Sequence, residues 1–250
     1  MDRELPETKL SRIQTLWTVV AVAHHGPTEE VKSAQEKLLE RYGKAVHRYL
    51  LGALRDADAA EELAQEFALR FIRGDLHGAD RERGRFRDFV KGVLFHLIAD
   101  YHRRRRRSPQ ALALDAPEPA AAVAENEPDQ QFVESWRAEL LEHTWKALRL
   151  HQEQAGQPFH TVLRFRAEHP DLRSAQMAEQ LSSKLSKSVT AVWVRQVLHR
   201  AREKFAELLV DEVAQTLKDP SIDRLEQELV DVGLLEYCRP ALDQLRGGRG

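Results

Sequence analysis

Apolar residues recur at steps of three and four through most of this chain. That is the period of one helix face, and it leaves little room for any other fold. Leu38, Leu39, Tyr42, Val46, Tyr49 and Leu50 share one face of a helix expected over 28–55. A second helix fits Asp58 to Arg73, with Leu63, Phe67 and Phe71 as its stripe. A third runs from Phe86 to Arg105, with Phe86, Phe89, Val90, Val93, Leu94, Leu97 and Tyr101 facing inward. The period then stops. Ser108 to Asp129 holds Pro109, Pro117, Pro119 and Pro128 and no Lys or Arg. Such a stretch reads as an extended linker stiffened by proline. Helical spacing resumes over Phe132–Gln154, Phe159–Ala167, Ser174–Leu181, Thr190–Leu217 and Ile222–Val232. Ser221 is placed to cap the last of these and Gly233 to stop it. No segment alternates as a strand would. The expectation is an all-α chain of two helical domains joined by an acidic Ala/Pro-rich linker.

Charge sharpens the division. The 250 residues carry a formal net charge of −2, yet this sum hides stripes. Residues 81–107 come to +7, residues 108–135 to −6 and residues 190–206 to +3. Opposed blocks of this kind imply several partners of different sign rather than none. The single cysteine, Cys238, excludes an intrachain disulfide and a Cys-based zinc site. The apolar run Leu16 to Ala23 is too short to span a bilayer, and Met1 to Gln14 is mixed in charge. The expected location is the cytoplasm, with no membrane partner.

Motifs for catalysis are missing. There is no Gly-rich phosphate loop, no GxSxG, no HExxH and no paired metal ligands. His24, His25 and His47 stand apart from other ligand types. No enzyme activity, metal or cofactor is expected.

Two features point to nucleic acid. Ser174–Leu181 and Thr190–Leu217 form a helix pair joined by a turn, the plan of a helix-turn-helix. Its second helix presents Trp193, Arg195, Gln196, His199, Arg200 and Arg202 near its start. Arg and Gln carry forked groups that match guanine and adenine edges. The turn from Ser182 to Val189 exceeds the usual three or four residues. The other feature is the basic block, with Arg81, Arg83, Arg85, Arg87, Lys91 and the unbroken run Arg103 to Arg107. Phe86, Phe89, Phe95 and Tyr101 are interleaved with it. Cations for phosphates and ring faces for bases are what single-stranded nucleic acid requires. Most of these rings suit core positions; Phe86, beside Gly84, is the one expected to stand open.

In this order the parts resemble a bacterial RNA polymerase sigma factor of the sigma-70 family, extracytoplasmic-function type. Ala60-Glu-Glu-Leu-Ala-Gln-Glu-Phe67 is similar to the acidic helix of region 2. Glu82-Arg-Gly-Arg-Phe-Arg-Asp-Phe-Val90, with Asp100 and the Arg run, resembles the helix that melts and reads the −10 element. Val194-Arg-Gln-Val-Leu-His-Arg-Ala-Arg-Glu203 resembles the region 4 recognition helix. Asp211 to Pro220 is similar to a C-terminal extension found in a subgroup.

The resemblance implies a region 2-like domain over 8–107, a linker over 108–131, a region 4-like domain over 132–217 and an extension over 218–250. It places Glu61, Glu62, Gln65 and Glu66 against core polymerase. It places Arg85, Phe86, Arg87, Lys91, His96, Arg103 and Arg104 on single-stranded −10 DNA. His96 stands where the family commonly has Asn. Trp193, Arg195, Gln196, His199 and Arg200 fall on duplex −35 DNA. Asp115, Glu118, Glu125, Glu127 and Asp129 are candidates for an RNA mimic, with a plain solvated tether as the alternative. An anti-sigma or other regulator is a further candidate partner. Two rivals remain: a helix-turn-helix regulator acting without polymerase, and a degenerate sigma-like protein–protein adaptor.

Overall fold

The computed structural model describes residues 28–73, 85–107 and 127–247. Helix α1 spans Thr28–Leu54 and α2 spans Ala57–Arg73. The break between them has a local cause. Arg55 takes a left-handed backbone, φ 52°, which ends α1. The carboxylate of Asp56 then accepts from the Ala59 N–H at 3.1 Å and caps α2. Helix α3 spans Phe86–Arg107, α4 Glu127–Ala155, α5 Phe159–Glu168 and α6 Ser174–Lys184. Helices α7, α8 and α9 span Ala191–Gln215, Ile222–Asp231 and Leu235–Gly247. Among the described residues there is no strand, only one isolated antiparallel bridge between Arg85 and Leu217. No described helix is long and apolar enough to cross a membrane.

The chain divides into two compact units, and the division differs from the sequence boundaries. The first unit comprises Met1–Glu139 and Ala214–Val232. The second comprises Leu140–Val213 and Gly233–Gly250. Residues 132–139 and the start of the C-terminal extension therefore pack with the first three helices. The physical reason is aromatic. In the first unit α1, α2 and α3 pack on one another through the stripes expected for them. Their core is completed by Phe132 and Trp136 of α4, both buried. Trp136 stacks on Tyr42 with ring centres 4.9 Å apart and planes 8° apart. Phe132 meets the Tyr49 ring edge-on at 5.2 Å.

Helix α8 also belongs to the first unit. Its start is as the sequence implied: Ser221 Oγ accepts from the Arg224 N–H at 3.3 Å. Its stop is too, since Gly233 follows with φ 69°. Ile222, Leu225, Leu229 and Val232 are all buried.

The second unit has its own core. Leu148 of α4, Phe159, Val162 and Phe165 of α5, and Met177 and Leu181 of α6 cluster with Val194, Val197, Leu198 and Ala201 of α7. Trp145 closes one edge against Phe205, ring centres 4.8 Å apart. Helix α9 was not legible in the sequence, because Pro240 lies inside it. It buries Cys238, Ala241 and Leu242. Burial pushes the Cys238 thiol up to about 12, so it is inert packing at neutral pH.

The linker expectation falls mostly on 108–126, outside the described residues. Its last part is helical: Glu127 begins α4, and Asp129 pairs with Lys91 at 2.8 Å.

Candidate polymerase and nucleic-acid interfaces

The acidic face of α2 follows from its register. Leu63, Phe67 and Phe71 are drawn into the core, which turns Glu61, Glu62 and Gln65 to solvent. Gln65 Nε2 donates to Glu61 Oε1 at 3.0 Å, and His47 Nε2 lies 3.5 Å from the other Glu61 oxygen. Glu66 is different. It is half-buried between Arg70 and Arg104, with Arg104 Nη2 donating at 3.0 Å. Burial works to raise its pKa, but the two guanidiniums outweigh it and hold the carboxyl below its ordinary range. Beside this face lies a groove of about 560 Å³ lined by Gly43, Lys44, His47, Leu51, Ala64 and Ala68, among others. Leu51, Leu69 and Ile72 are exposed on the same two helices. Carboxylates next to an apolar groove suit a protein partner better than a polyanion.

Helix α3 separates into a covered start and an open remainder. Phe86 is not the open ring expected of it. It is 2% exposed and packs against Tyr42 at 5.1 Å, Phe89 at 5.8 Å and Trp136 at 6.2 Å. Its N–H donates to Thr216 O at 2.9 Å. Arg87 is also buried. Its Nη2 donates to Glu228 Oε2 at 3.2 Å, and its Nε stands 3.1 Å from Glu228 Oε1. Arg85 donates to Asp231 and lies 3.4 Å from Glu228. Burial pushes the Glu228 carboxyl up, against the pull of Arg87 and Arg85. Asp231 is more open; burial raises it, but Gln227, Arg85 and Arg87 together hold it below its usual range.

The open part of α3 carries a ring the sequence reading did not single out as a site. Phe95 is 67% exposed and meets the exposed His96 imidazole edge-on, centres 6.1 Å apart. One, two and three turns on, the same side of the helix presents Ala99, His102, Arg103 and Arg106, all exposed. The signal for Phe95 was its place off the apolar stripe, whereas Phe86 lay on it. Arg103 pairs with Asp100 and Arg104 with Glu66, so the five-Arg run is not a uniform cationic rod. Arg104 links the acidic face to the basic one.

In the second unit α6 and α7 are joined by six residues, 185–190. Ser186 adopts φ 49°, and Ser182 organises the rest. Its Oγ donates to Ala178 O at 2.7 Å and accepts from the Val189 N–H at 3.0 Å. Its carbonyl accepts from the Lys187 N–H at 3.1 Å. The turn is long but tied. Thr190 Oγ1 accepts from the Trp193 N–H at 3.2 Å and caps α7. Arg195, Gln196, His199 and Arg200 all stand exposed along the first three turns, and His199 Nδ1 lies 3.2 Å from Glu203. Trp193 is half-buried against the core cluster and serves partly as packing. Among the described residues no group of three or more His, Cys, Asp or Glu is placed to hold a metal ion.

Residues 38–108 match the family model Sigma-70 region 2. The match covers less than a third of the chain and ends before α4. It takes in most of α1 and all of α2 and α3, the helices that carry the acidic face and the basic, aromatic one. The likeness is to region 2 of sigma-70 factors and is confined to these three helices. No curated protein and no solved structure matches the chain at a significant level.

Proposed function

We propose that the chain is a sigma factor of the extracytoplasmic-function type that binds core RNA polymerase and directs promoter recognition and melting. The observation that carries this is the coincidence of the region 2 match with a helix bundle bearing two unlike surfaces. Glu61, Glu62 and Gln65, with the groove beside them, form the polymerase-docking face. The open side of α3, with Phe95, His96, Arg103 and Arg106, receives the unpaired −10 strand. Ring faces stack on exposed bases at ~1–3 kcal/mol each, which offsets part of the unstacking that melting requires. Arg195, Gln196, His199 and Arg200 read duplex −35 DNA from the start of α7, with Thr190 and the Ser182 turn fixing its angle.

Each DNA site alone is weak. Bound to polymerase, the two units act together through effective concentration, so neither needs high affinity by itself. The polymerase supplies the chemistry, and this chain supplies position. An anti-sigma or other regulator would set when the chain acts.

The test is transcription from a library of promoter sequences by core polymerase with and without the chain, followed by sequencing of the transcripts. The expected result is initiation at a shared two-element promoter that depends on the chain. A chain that shifts duplex DNA but gives no transcripts would be a regulator acting alone. One that does neither would be an adaptor.

A further inference from the structure

We infer that helix α8 is an intramolecular cover that occupies the cationic start of α3 and must lift before Arg85 and Arg87 can meet DNA phosphate. The inference rests on the sigma reading above, together with the resemblance that places Arg85 and Arg87 on the −10 strand beside the open side of α3. It extends that reading to a resting state of the free chain.

Arg85 and Arg87, either side of the core residue Phe86, are covered by α8. Arg85 and Arg87 keep 27% and 7% of their side-chain surface, and Phe86 gives its N–H to Thr216. The groups that cover the two guanidiniums are the carboxylates of Glu228 and Asp231, on the inward face of α8 at positions i and i+3. A carboxylate offers a guanidinium what a phosphate offers, two acceptor oxygens in one plane of approach. Arg87 lies within ion-pair distance of both acids and so does Arg85, so both positive charges are paired on α8. Arg87 is too enclosed to reach a DNA backbone while α8 is seated, and Arg85, more open, is held by the same two acids.

The way α8 is held tells how it can move. Buried ion pairs add little net stability, because each charge is desolvated to form them. The pairs are therefore exchangeable for a phosphate of similar geometry. The apolar seat of Ile222, Leu225 and Leu229 is what keeps the helix down. Closure is thus the resting state of the free chain, and binding to polymerase must bias the opening. Apparent DNA affinity of the free chain is lowered by the fraction of molecules that are open.

The experiment uses the full chain and a fluorescent single-stranded DNA of about 12 nucleotides of random sequence, within the length such sites commonly cover. Affinity is measured against salt concentration for four variants, each checked for helix content by circular dichroism. Asp231→Asn, alone and with Glu228→Gln, removes the covering charges. Leu229→Ala loosens the apolar seat and leaves the net charge unchanged. Asp223→Asn removes one charge from the exposed face of the same helix. The expected result is about tenfold tighter binding for the double variant and for Leu229→Ala, with little change for Asp223→Asn. The salt slope should steepen by about 1.4, two newly available phosphate contacts at ~0.7 each on a single strand. Folded variants with unchanged binding and slope would make the cluster a structural staple and overturn the cover. Equal gains from Asp231→Asn and Asp223→Asn would do the same, since net charge would then explain them. The sigma reading fails separately, if the wild-type chain directs no initiation with core polymerase. A chain that directs initiation while the variants bind no tighter overturns the cover alone.

Discussion

Trp136→Ala tests whether the first unit really depends on a residue outside the matched segment. Trp136 is 1% exposed and lies beyond residue 108, where the family match ends. Its ring stacks on Tyr42 at 4.9 Å and also meets Phe132 at 6.0 Å and Phe86 at 6.2 Å. Truncating a buried Trp to Ala leaves a large cavity and costs ~3–5 kcal/mol. A domain of this size holds only ~5–15 kcal/mol in all, so the loss is about a fifth of it or more. Urea unfolding followed by far-ultraviolet circular dichroism reads the effect. With a urea slope of ~2 kcal/mol per molar, the midpoint of the first unit should fall by about 2 M. Trp145→Ala is the matched control, because Trp145 packs in the second unit and should shift that unit's transition instead. A double-mutant cycle with Tyr42→Ala should return a coupling of ~0.5–1.5 kcal/mol for the stacked pair. A midpoint shift below about 0.5 M, or one equal to that of Trp145→Ala in the same transition, would refute the reasoning. It would mean that α4 only lies near the three-helix core and does not complete it.

Phe95→Ala should weaken binding to single-stranded DNA and slow promoter opening by ~1–3 kcal/mol in free-energy terms. Its unfolding midpoint should not move, because the ring is mostly in water; a stability loss without a binding loss would place Phe95 in an unseen packing role. Ser182→Ala removes the oxygen that accepts from Val189 N–H, costs ~0.5–1.5 kcal/mol in the second unit, and should weaken −35 duplex binding in a gel-shift titration. Asp231 has a carboxyl held low, so its contribution to stability is whole above the ordinary aspartate range near ~3.9 and is lost as pH falls through the lower folded value. Glu228 has the opposite sign: its raised carboxyl takes up a proton on the way down, and its protonated form is the better tolerated one in that buried place. Acid unfolding of wild type and Asp231→Asn should therefore differ in steepness below about pH 4, with the variant the flatter; identical curves would contradict the depressed carboxyl.

The class of fold was legible in the chain's own residues, because helix period is local. Eight of the nine described helices correspond to apolar stripes readable at steps of three and four. The caps at Ser221 and Gly233 were equally local, since each depends on one residue's own backbone or side chain. The acidic face of α2 was legible for the same reason: once Leu63, Phe67 and Phe71 face inward, Glu61 and Glu62 must face out. Helix α9 was missed, because Pro240 argues locally against a helix that burial of Cys238 and Leu242 sustains.

Which stripe meets which was settled by packing between distant segments. A stripe records that a face is buried and not what covers it. Phe132 and Trp136 read as the start of a second domain, yet their rings complete the core of the first. Phe86 and Phe95 are both aromatics on a basic helix; the stripe hinted which faces inward, and the partners Tyr42 and Trp136 made Phe86 a core residue while Phe95 was left in solvent. The charge of Arg85 and Arg87 was plain in the sequence, but Glu228 and Asp231 lie more than 140 positions away in the chain. Charge is written residue by residue. Its neutralisation is written in contacts, and those depend on a fold that brings distant positions within 3 to 4 Å.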